Sequence, residues 1–127
     1  MDLKDKAVDI KGKKYVLVSD RVIFFNENYP NGSIETSLLS EVADKNIFMR
    51  ATVTPDTKNP DRKFIGHAQE VVGDGYINKT SALENAETSA VGRALAMMGI
   101  GVIDSIASVD EINKAKNISQ GVKDADL

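Results

Sequence analysis

The chain is organised around one stretch, Tyr76–Gly101, which reads YINKTSALENAETSAVGRALAMMGIG. Ser81 and Glu84 have the spacing of a capping box, in which the serine oxygen accepts a backbone N–H and the glutamate bonds back to the serine amide. Gly99 suits the left-handed conformation that commonly ends a helix. The pattern therefore predicts a long helix between Ser81 and Gly99.

The predicted helix has one apolar face whose residues recur at three- and four-residue spacing. Ala86, Ala90 and Ala94 form a row of small residues one turn apart, which would let the helix lie close to a sheet. The remaining apolar positions of this face are Leu83, Val91, Leu95 and Met98. Small or polar residues, apart from one arginine, occupy the opposite face: Asn85, Ser89, Gly92, Arg93 and Ala96.

Arg93 is the exceptional residue of this helix. One turn toward the N-terminus, Ser89 and Ala90 offer no carboxylate for a local ion pair. Its neighbour Gly92 costs about 1 kcal/mol in a helix interior relative to alanine. Two interpretations stay open: an anion approaches the backbone here, or Arg93 is a solvated surface residue and Gly92 permits tight packing.

The composition indicates a single domain with a modest core, since the chain has 127 residues and 42% hydrophobic content. It contains no cysteine, which excludes a disulfide scaffold and thiol catalysis. No apolar run is long enough to span a membrane, and the first nine residues lack a signal-peptide core. The net charge of −3 argues against a strongly basic nucleic-acid binder. The excess acids lie in the flanks, however, because residues 10–103 hold eleven acidic and eleven basic side chains.

The order of elements predicts an α+β fold. A strand at Tyr15–Val18 leads into a helix that Ser19 or Asp20 caps and that ends near Asn28. Three antiparallel strands and the long helix, packed on one sheet face, then form a β-β-β-α core. The strands are predicted at Ser33–Val42, Asn46–Thr54 and Lys63–Val72. We expect a flexible leader at residues 1–9, the core at 10–105, and a short helix with a disordered tail at 106–127.

Catalysis has little support in the sequence. The only histidine, His67, lies mid-strand, where a packing or surface role is commoner than a catalytic one. Glu84 and Glu87 lie one turn apart, but the capping box explains Glu84. No cluster of metal ligands and no glycine-rich phosphate loop occurs. We therefore expect no enzyme activity, no metal and no cofactor.

Nucleic-acid binding has partial support, because basic residues occur where phosphates could be bound. The alternative is that these residues are ordinary solubilising charge. The candidates are Lys13 and Lys14 before the first strand, Arg21 at the N-terminus of the first helix, Arg62 and Lys63 at the hairpin, Lys79 before the long helix and Arg93 on it.

Several short strings resemble the strand-annealing recombinases of the Rad fifty-two superfamily, and more closely the phage annealing proteins of the Sak and Erf kind. Arg21-Val22-Ile23, continuing to Tyr29–Ser33, looks like that family's first helix and turn. Arg50–Thr54 and the strand after its loop look like its central hairpin, and Glu84–Gly101 looks like its long helix.

This resemblance implies single-stranded DNA binding and annealing in phage-type recombination within the cytoplasm of a bacterial host. It also implies a homo-oligomeric ring or filament with the DNA in a basic groove. A phage or host single-strand-binding protein or exonuclease would then be a natural partner. Arg21 and Arg93 fall on matching DNA-contacting positions.

The chain also departs from this pattern. The family's Lys-Arg pair is Gly92-Arg93 here, its turn tryptophan is Ser33, and its next arginine is Ala96. The groove would be less basic as a result. Two alternatives therefore stay open: a plain protective single-stranded DNA-binding protein, and an oligomeric interaction module that binds no DNA.

Overall fold

In a computed structural model, the chain forms two small layers of secondary structure. The structure describes residues 2–41, 44–73, 75–104 and 106, and of residues 75–80 it describes only the backbone. A 3-10 helix, Leu3–Lys6, comes first. The strands are β1 (Val8–Ile10), β2 (Lys13–Tyr15), β3 (Ser33–Leu38), β4 (Asn46–Thr54) and β5 (Phe64–Val71), and the helices are α1 (Val18–Asn28) and α2 (Gly75–Met97).

The main sheet is antiparallel and has the strand order β3-β4-β5. Arg50 in its centre pairs with Ser37 on one side and with His67 on the other. The α+β fold predicted from the sequence is confirmed, with the long helix packed on this sheet. The predicted bounds of β4 are those observed, whereas β3 ends at Leu38, four residues before the predicted end.

Alternation along β4 places one set of its side chains in the core. Ile47, Met49, Ala51 and Val53 are almost fully buried, while the residues between them are exposed or half-buried. This period of two is that of a strand with one covered face. We refer to the outward side chains of β3, β4 and β5 as the open face.

Helix α2 lies directly on β5 because the residues that face each other, alanines on the helix and a glycine on the strand, have small side chains or none. Ala86, Ala90 and Ala94 have no exposed surface. Opposite them is Gly66, where an added Cβ atom would lie 2.6 Å from the carbonyl oxygen of Ala90 and would also meet the backbone nitrogen of Ala94. The row of alanines predicted to approach a sheet therefore does so at this glycine.

The C-terminal end of α2 is the predicted one. Gly99 has φ +95°, its N–H bonds to the carbonyl of Ala96, and the N–H of Ile100 bonds to the carbonyl of Leu95. These two bonds form a Schellman motif, and the accompanying apolar contact is supplied by Leu95 and Ile100, both buried. The N-terminal end agrees with the prediction only in part, since a helical segment precedes Ser81 and the backbone kinks at that residue. Helical backbone begins at Gly75, and Ser81, the predicted cap, interrupts it with φ −144° and ψ 32°.

The N-terminal region also differs from the prediction. Within the segment expected to be a flexible leader, Leu3 is buried against the core and Val8 begins β1. The predicted strand Tyr15–Val18 is instead β2, which ends at Tyr15. The N-cap residue of helix α1 is Leu17, whose side chain makes no capping hydrogen bond. Neither Ser19 nor Asp20 is therefore the cap residue. The short helix and tail predicted at 106–127 lie outside the described residues, apart from Ile106.

Candidate nucleic-acid interface

Arg21, predicted to contact phosphate, is an internal residue of the structure. Its side chain is 2% exposed, and its Nε donates to the carbonyl oxygen of Val16 at 2.9 Å. Its Nη1 donates to the carbonyl oxygen of Gly92 at 3.3 Å, and the guanidinium lies 5.1 Å from the ring centroid of Tyr15. Burial lowers the pKa of Arg21 below its ordinary value, and the electrostatic interaction with Tyr15 opposes that shift.

These contacts correct the sequence-based assignment of Arg21. A guanidinium enclosed by two backbone carbonyls and a ring is not presented to a ligand on the surface. It instead links the start of α1 to the segment before it and to α2, since Val16 and Gly92 belong to those two parts. We therefore assign Arg21 a structural role and remove it from the candidate interface.

Gly92 has the packing role that the sequence left as one alternative. A Cβ atom at this position would lie 2.6 Å from Cγ2 of Val18, so α1 and α2 touch here without room for a side chain. Arg93, its neighbour, is half-buried and makes an interaction within the chain. The close approach at Gly92 is thus a contact between two helices.

Among the residues that the structure describes, two groups of three exposed cations lie close together in the sequence. The hairpin cluster consists of Lys11, Lys13 and Lys14, at and after the β1–β2 turn. Lys14 is only loosely paired with Asp9, at 4.0 Å, with both side chains more than half exposed. Such an exposed pair contributes little, so the charge of Lys14 stays available to a polyanion.

The second group, the loop cluster, lies between β4 and β5. It consists of Lys58, Arg62 and Lys63, all exposed. The guanidinium of Arg62 lies 5.0 Å from the ring centroid of Phe64, which positions it at the entrance to β5. The loop itself is held against the turn after α1, because the N–H of Thr57 donates to the carbonyl oxygen of Asn31 at 2.9 Å.

The structure does not gather all the predicted cations into one groove. Arg62 and Lys63 precede β5, whereas Lys79 belongs to the first turns of α2, after the other end of that strand. An eight-residue strand is about 26 Å long. Lys79 is among the residues whose side chains are not described, so only its place on α2 is known. The cations would therefore act as separated contacts along an extended ligand.

The open face contains residues that sequence reasoning did not select. Arg50 and His67 are cross-strand partners, and Nε of Arg50 donates to Nε2 of His67 at 3.3 Å. Phe48, two residues before Arg50, is 42% exposed. The alternation of β4 could have identified both, since it places Phe48 and Arg50 on the face opposite the core.

Within the part of the chain that the structure describes, no group of three histidine or carboxylate side chains could hold a metal ion. In the same residues, no helix is long and apolar enough to cross a membrane.

Residues 23–98 match the family model described as Slr1353 N-terminal dsRNA-binding domain-like. The chain belongs to this family. The matched residues begin within α1 and extend through β3, β4, β5 and α2, so the dsRNA-binding domain-like unit is the main sheet with its two helices. This description favours nucleic acid in general as the class of ligand. No curated protein and no solved structure matches the chain.

The family corrects the resemblance drawn from the sequence: the chain matches the dsRNA-binding domain-like family, not the annealing proteins of the Sak, Erf or Rad fifty-two kind. Two of the sequence strings that suggested the annealing proteins contain residues whose positions have a structural cause. Arg21 begins one of them, and its position is explained by internal hydrogen bonds. Gly92 belongs to another, and its position is explained by the contact with Val18.

Proposed function

We propose that this chain is a non-catalytic nucleic-acid-binding protein that holds the sugar–phosphate backbone of double-stranded RNA. The observation that carries the proposal is its membership of a dsRNA-binding domain-like family, through a match that spans the helix–sheet–helix unit. Domains that bind double-stranded RNA recognise mainly its shape, by contacts to phosphates and 2′-hydroxyls, and not its sequence.

The distribution of charge suits a backbone ligand. The hairpin and loop clusters each offer three exposed cations, although the whole chain has a net charge of −3. Lysine and arginine contacts to phosphates supply affinity and fix position without reading bases. The phosphates would therefore meet local positive segments of an otherwise acidic chain.

Separate clusters favour a duplex over a compact ligand. A bound RNA helix is typically contacted over about 16 base pairs, in two successive minor grooves and at the phosphates between them. A ligand of that length can reach contacts on different elements at once. Cations on two different elements are what contacts along one rigid duplex would require.

Single-stranded DNA, the ligand expected from the sequence, is the competing strand type. A binding titration with duplex RNA and one with single-stranded DNA of equal length decide between the two ligands.

The absence of catalysis, expected from the sequence, remains part of the proposal.

The first test uses fluorescence anisotropy of labelled duplex RNA across a salt series. One variant replaces Lys58, Arg62 and Lys63 by alanine. Because each lost phosphate contact removes about 0.9 from the slope of log affinity against log salt for a duplex, we expect the slope to flatten by roughly two to three. The matched control replaces Lys4, Lys6 and Lys45 by alanine, which changes the net charge by the same amount at other exposed positions.

The loop assignment is contradicted if the two triple variants lose the same affinity and slope, because net charge alone would then explain the effect. A loop variant with unchanged affinity would contradict it as well. The corresponding variant of the hairpin cluster, with Lys11, Lys13 and Lys14 replaced, tests that segment in the same way.

A further inference from the structure

Phe48 is an aromatic side chain that the core does not use. It points outward from β4 and is 42% exposed. Gln69 is its cross-strand partner on β5, and the N–H of Leu39 bonds to its carbonyl oxygen on the other side. A shallow depression of about 260 Å³ is lined by Phe48, Leu39, His67, Ala68 and Gln69. One flat ring thus lies at the edge of an accessible hollow.

Arg50 stands next to this ring on the same face, about 6.6 Å further along the strand. Its Nε is occupied by the hydrogen bond to His67, which fixes the orientation of the guanidinium. Among the described residues, its two terminal nitrogens donate no hydrogen bond, and the side chain is exposed. Those two nitrogens form a planar fork that matches the oxygens of a phosphate.

Two side-chain amides also neighbour the ring, those of Gln69 and Asn46. Gln69 Nε2 is 3.5 Å from Asn46 Oδ1, across the strand pair β4–β5. Side-chain amides carry both donors and acceptors, as the edges of nucleobases do. Ring, fork and amides therefore lie within one small area of the sheet.

A second protein chain fits this face poorly. Its exposed apolar residues are divided, because Phe48 and Leu39 lie on one side of the row Ser37–Arg50–His67 and Ile65 lies on the other. Burying that row under a protein would desolvate Arg50, and Glu35 is the only acidic residue among the outward positions of the three strands. Arginine and aromatic residues are themselves common at protein interfaces, so the divided apolar surface and the near absence of acidic partners on these strands are what disfavour a second protein here.

We infer that the open face binds an unpaired nucleotide, with the base stacked on Phe48 and a phosphate held by the terminal nitrogens of Arg50. The inference rests on the proposed nucleic-acid-binding function and deepens it, by adding a site for single-stranded segments that adjoin a duplex. Stacking on an aromatic ring is tolerant of sequence, since every base has a π-face.

The test compares two probes, a blunt RNA duplex of about 20 base pairs, longer than the typical footprint, and a single-stranded RNA, for the unmodified chain and three variants. Phe48→Ala should weaken binding of the single strand roughly 5- to 150-fold. Phe48→Tyr should retain it, because the ring is kept. Ile23→Ala is the matched control, since Ile23 is an exposed apolar residue of α1, outside the open face. Binding of the blunt duplex should stay unchanged in all three.

Each other outcome overturns the inference. If the unmodified chain binds the duplex but not the single strand, the open-face site is absent while the proposed function stands. If it binds neither probe, both fail. If Phe48→Ala leaves single-strand binding unchanged, or weakens both probes equally, the ring is not the stacking surface. If the variant instead changes the mass of the protein in light scattering, the face is an interface between copies.

Discussion

The role of Arg21 is set by contacts with distant residues, and its neighbours in the sequence do not indicate it. Its partners are the carbonyls of Val16 and Gly92, the second of them 71 residues away. Removing the guanidinium would take this donor away from the carbonyl oxygen of buried Val16, whereas the carbonyl of Gly92, which lies within helix α2, would lose only an additional bond. A buried unsatisfied polar group costs about 1–3 kcal/mol.

We therefore predict that Arg21→Met, which keeps the apolar stem, lowers the free energy of unfolding by roughly 2 kcal/mol. Urea unfolding followed by circular dichroism measures this change. Arg62→Met is the matched control, because Arg62 is exposed in the loop, and its stability should stay within about 0.5 kcal/mol of the unmodified chain. An Arg21→Met variant of unaltered stability that loses nucleic-acid binding would contradict the structural role and restore the ligand-contacting one.

At the scale of elements, the contact between α2 and β5 determines how the helix lies on the sheet. Gly66 has no space for a Cβ atom, because the backbone of Ala90 and Ala94 occupies it. Inserting a larger side chain into a packed interior typically costs 1–3 kcal/mol or more. The helix would have to move away from the strand to accept one.

We predict that Gly66→Val lowers the midpoint of thermal unfolding strongly, through a loss of about 3 kcal/mol. The control is His67→Val, one residue further along the same strand and on the open face. Because valine favours strands, the control should be neutral or slightly stabilising. Equal effects of the two changes would mean that the approach of α2 to β5 is not as close as the structure has it.

The elements that the sequence predicted well are those with a strong local pattern. The strand β4 alternates over nine residues, and the Schellman end of α2 needs a glycine where Gly99 stands. The β1–β2 hairpin has strands of only three residues, the second of which contains two lysines, and it gives no such pattern. The start of α1 was predicted too late in the chain, because its N-cap residue, Leu17, makes no side-chain capping hydrogen bond.

The candidate interface was less predictable than the fold. Arg21 and Gly92 drew attention as functional residues because an arginine in a first turn and a glycine within a helix are locally unfavourable. Both are explained by contacts between elements distant in sequence, which no local pattern contains. Conversely, Phe48 and Arg50 looked ordinary in the sequence, and only the pairing of β4 with β5 brings them together with His67 and Gln69.

At the scale of the whole molecule, net charge limits the range over which the chain would attract nucleic acid, and association of copies would set the number of contacts. The chain is acidic overall, so its exposed cations attract phosphates over a short range only, within a Debye length of about 8 Å at physiological salt. The homo-oligomer expected from the sequence stays a prediction. If copies associate, their hairpin and loop clusters would add contacts on one duplex, and affinity would rise with the number of copies.

Binding of double-stranded RNA is tested by equilibrium measurements at constant physiological salt with three labelled ligands of equal length. These are an RNA duplex, a DNA duplex of the same sequence, and single-stranded DNA. Because recognition of RNA helices depends on A-form geometry and the 2′-hydroxyl, the account predicts the tightest binding for the RNA duplex. In a second series, with salt raised from 50 to 200 mM, we predict a loss of about 40-fold or more in affinity, since the loop cluster alone would account for a slope of about 2.7. No binding to the RNA duplex, or tighter binding to single-stranded DNA, would contradict the proposed function.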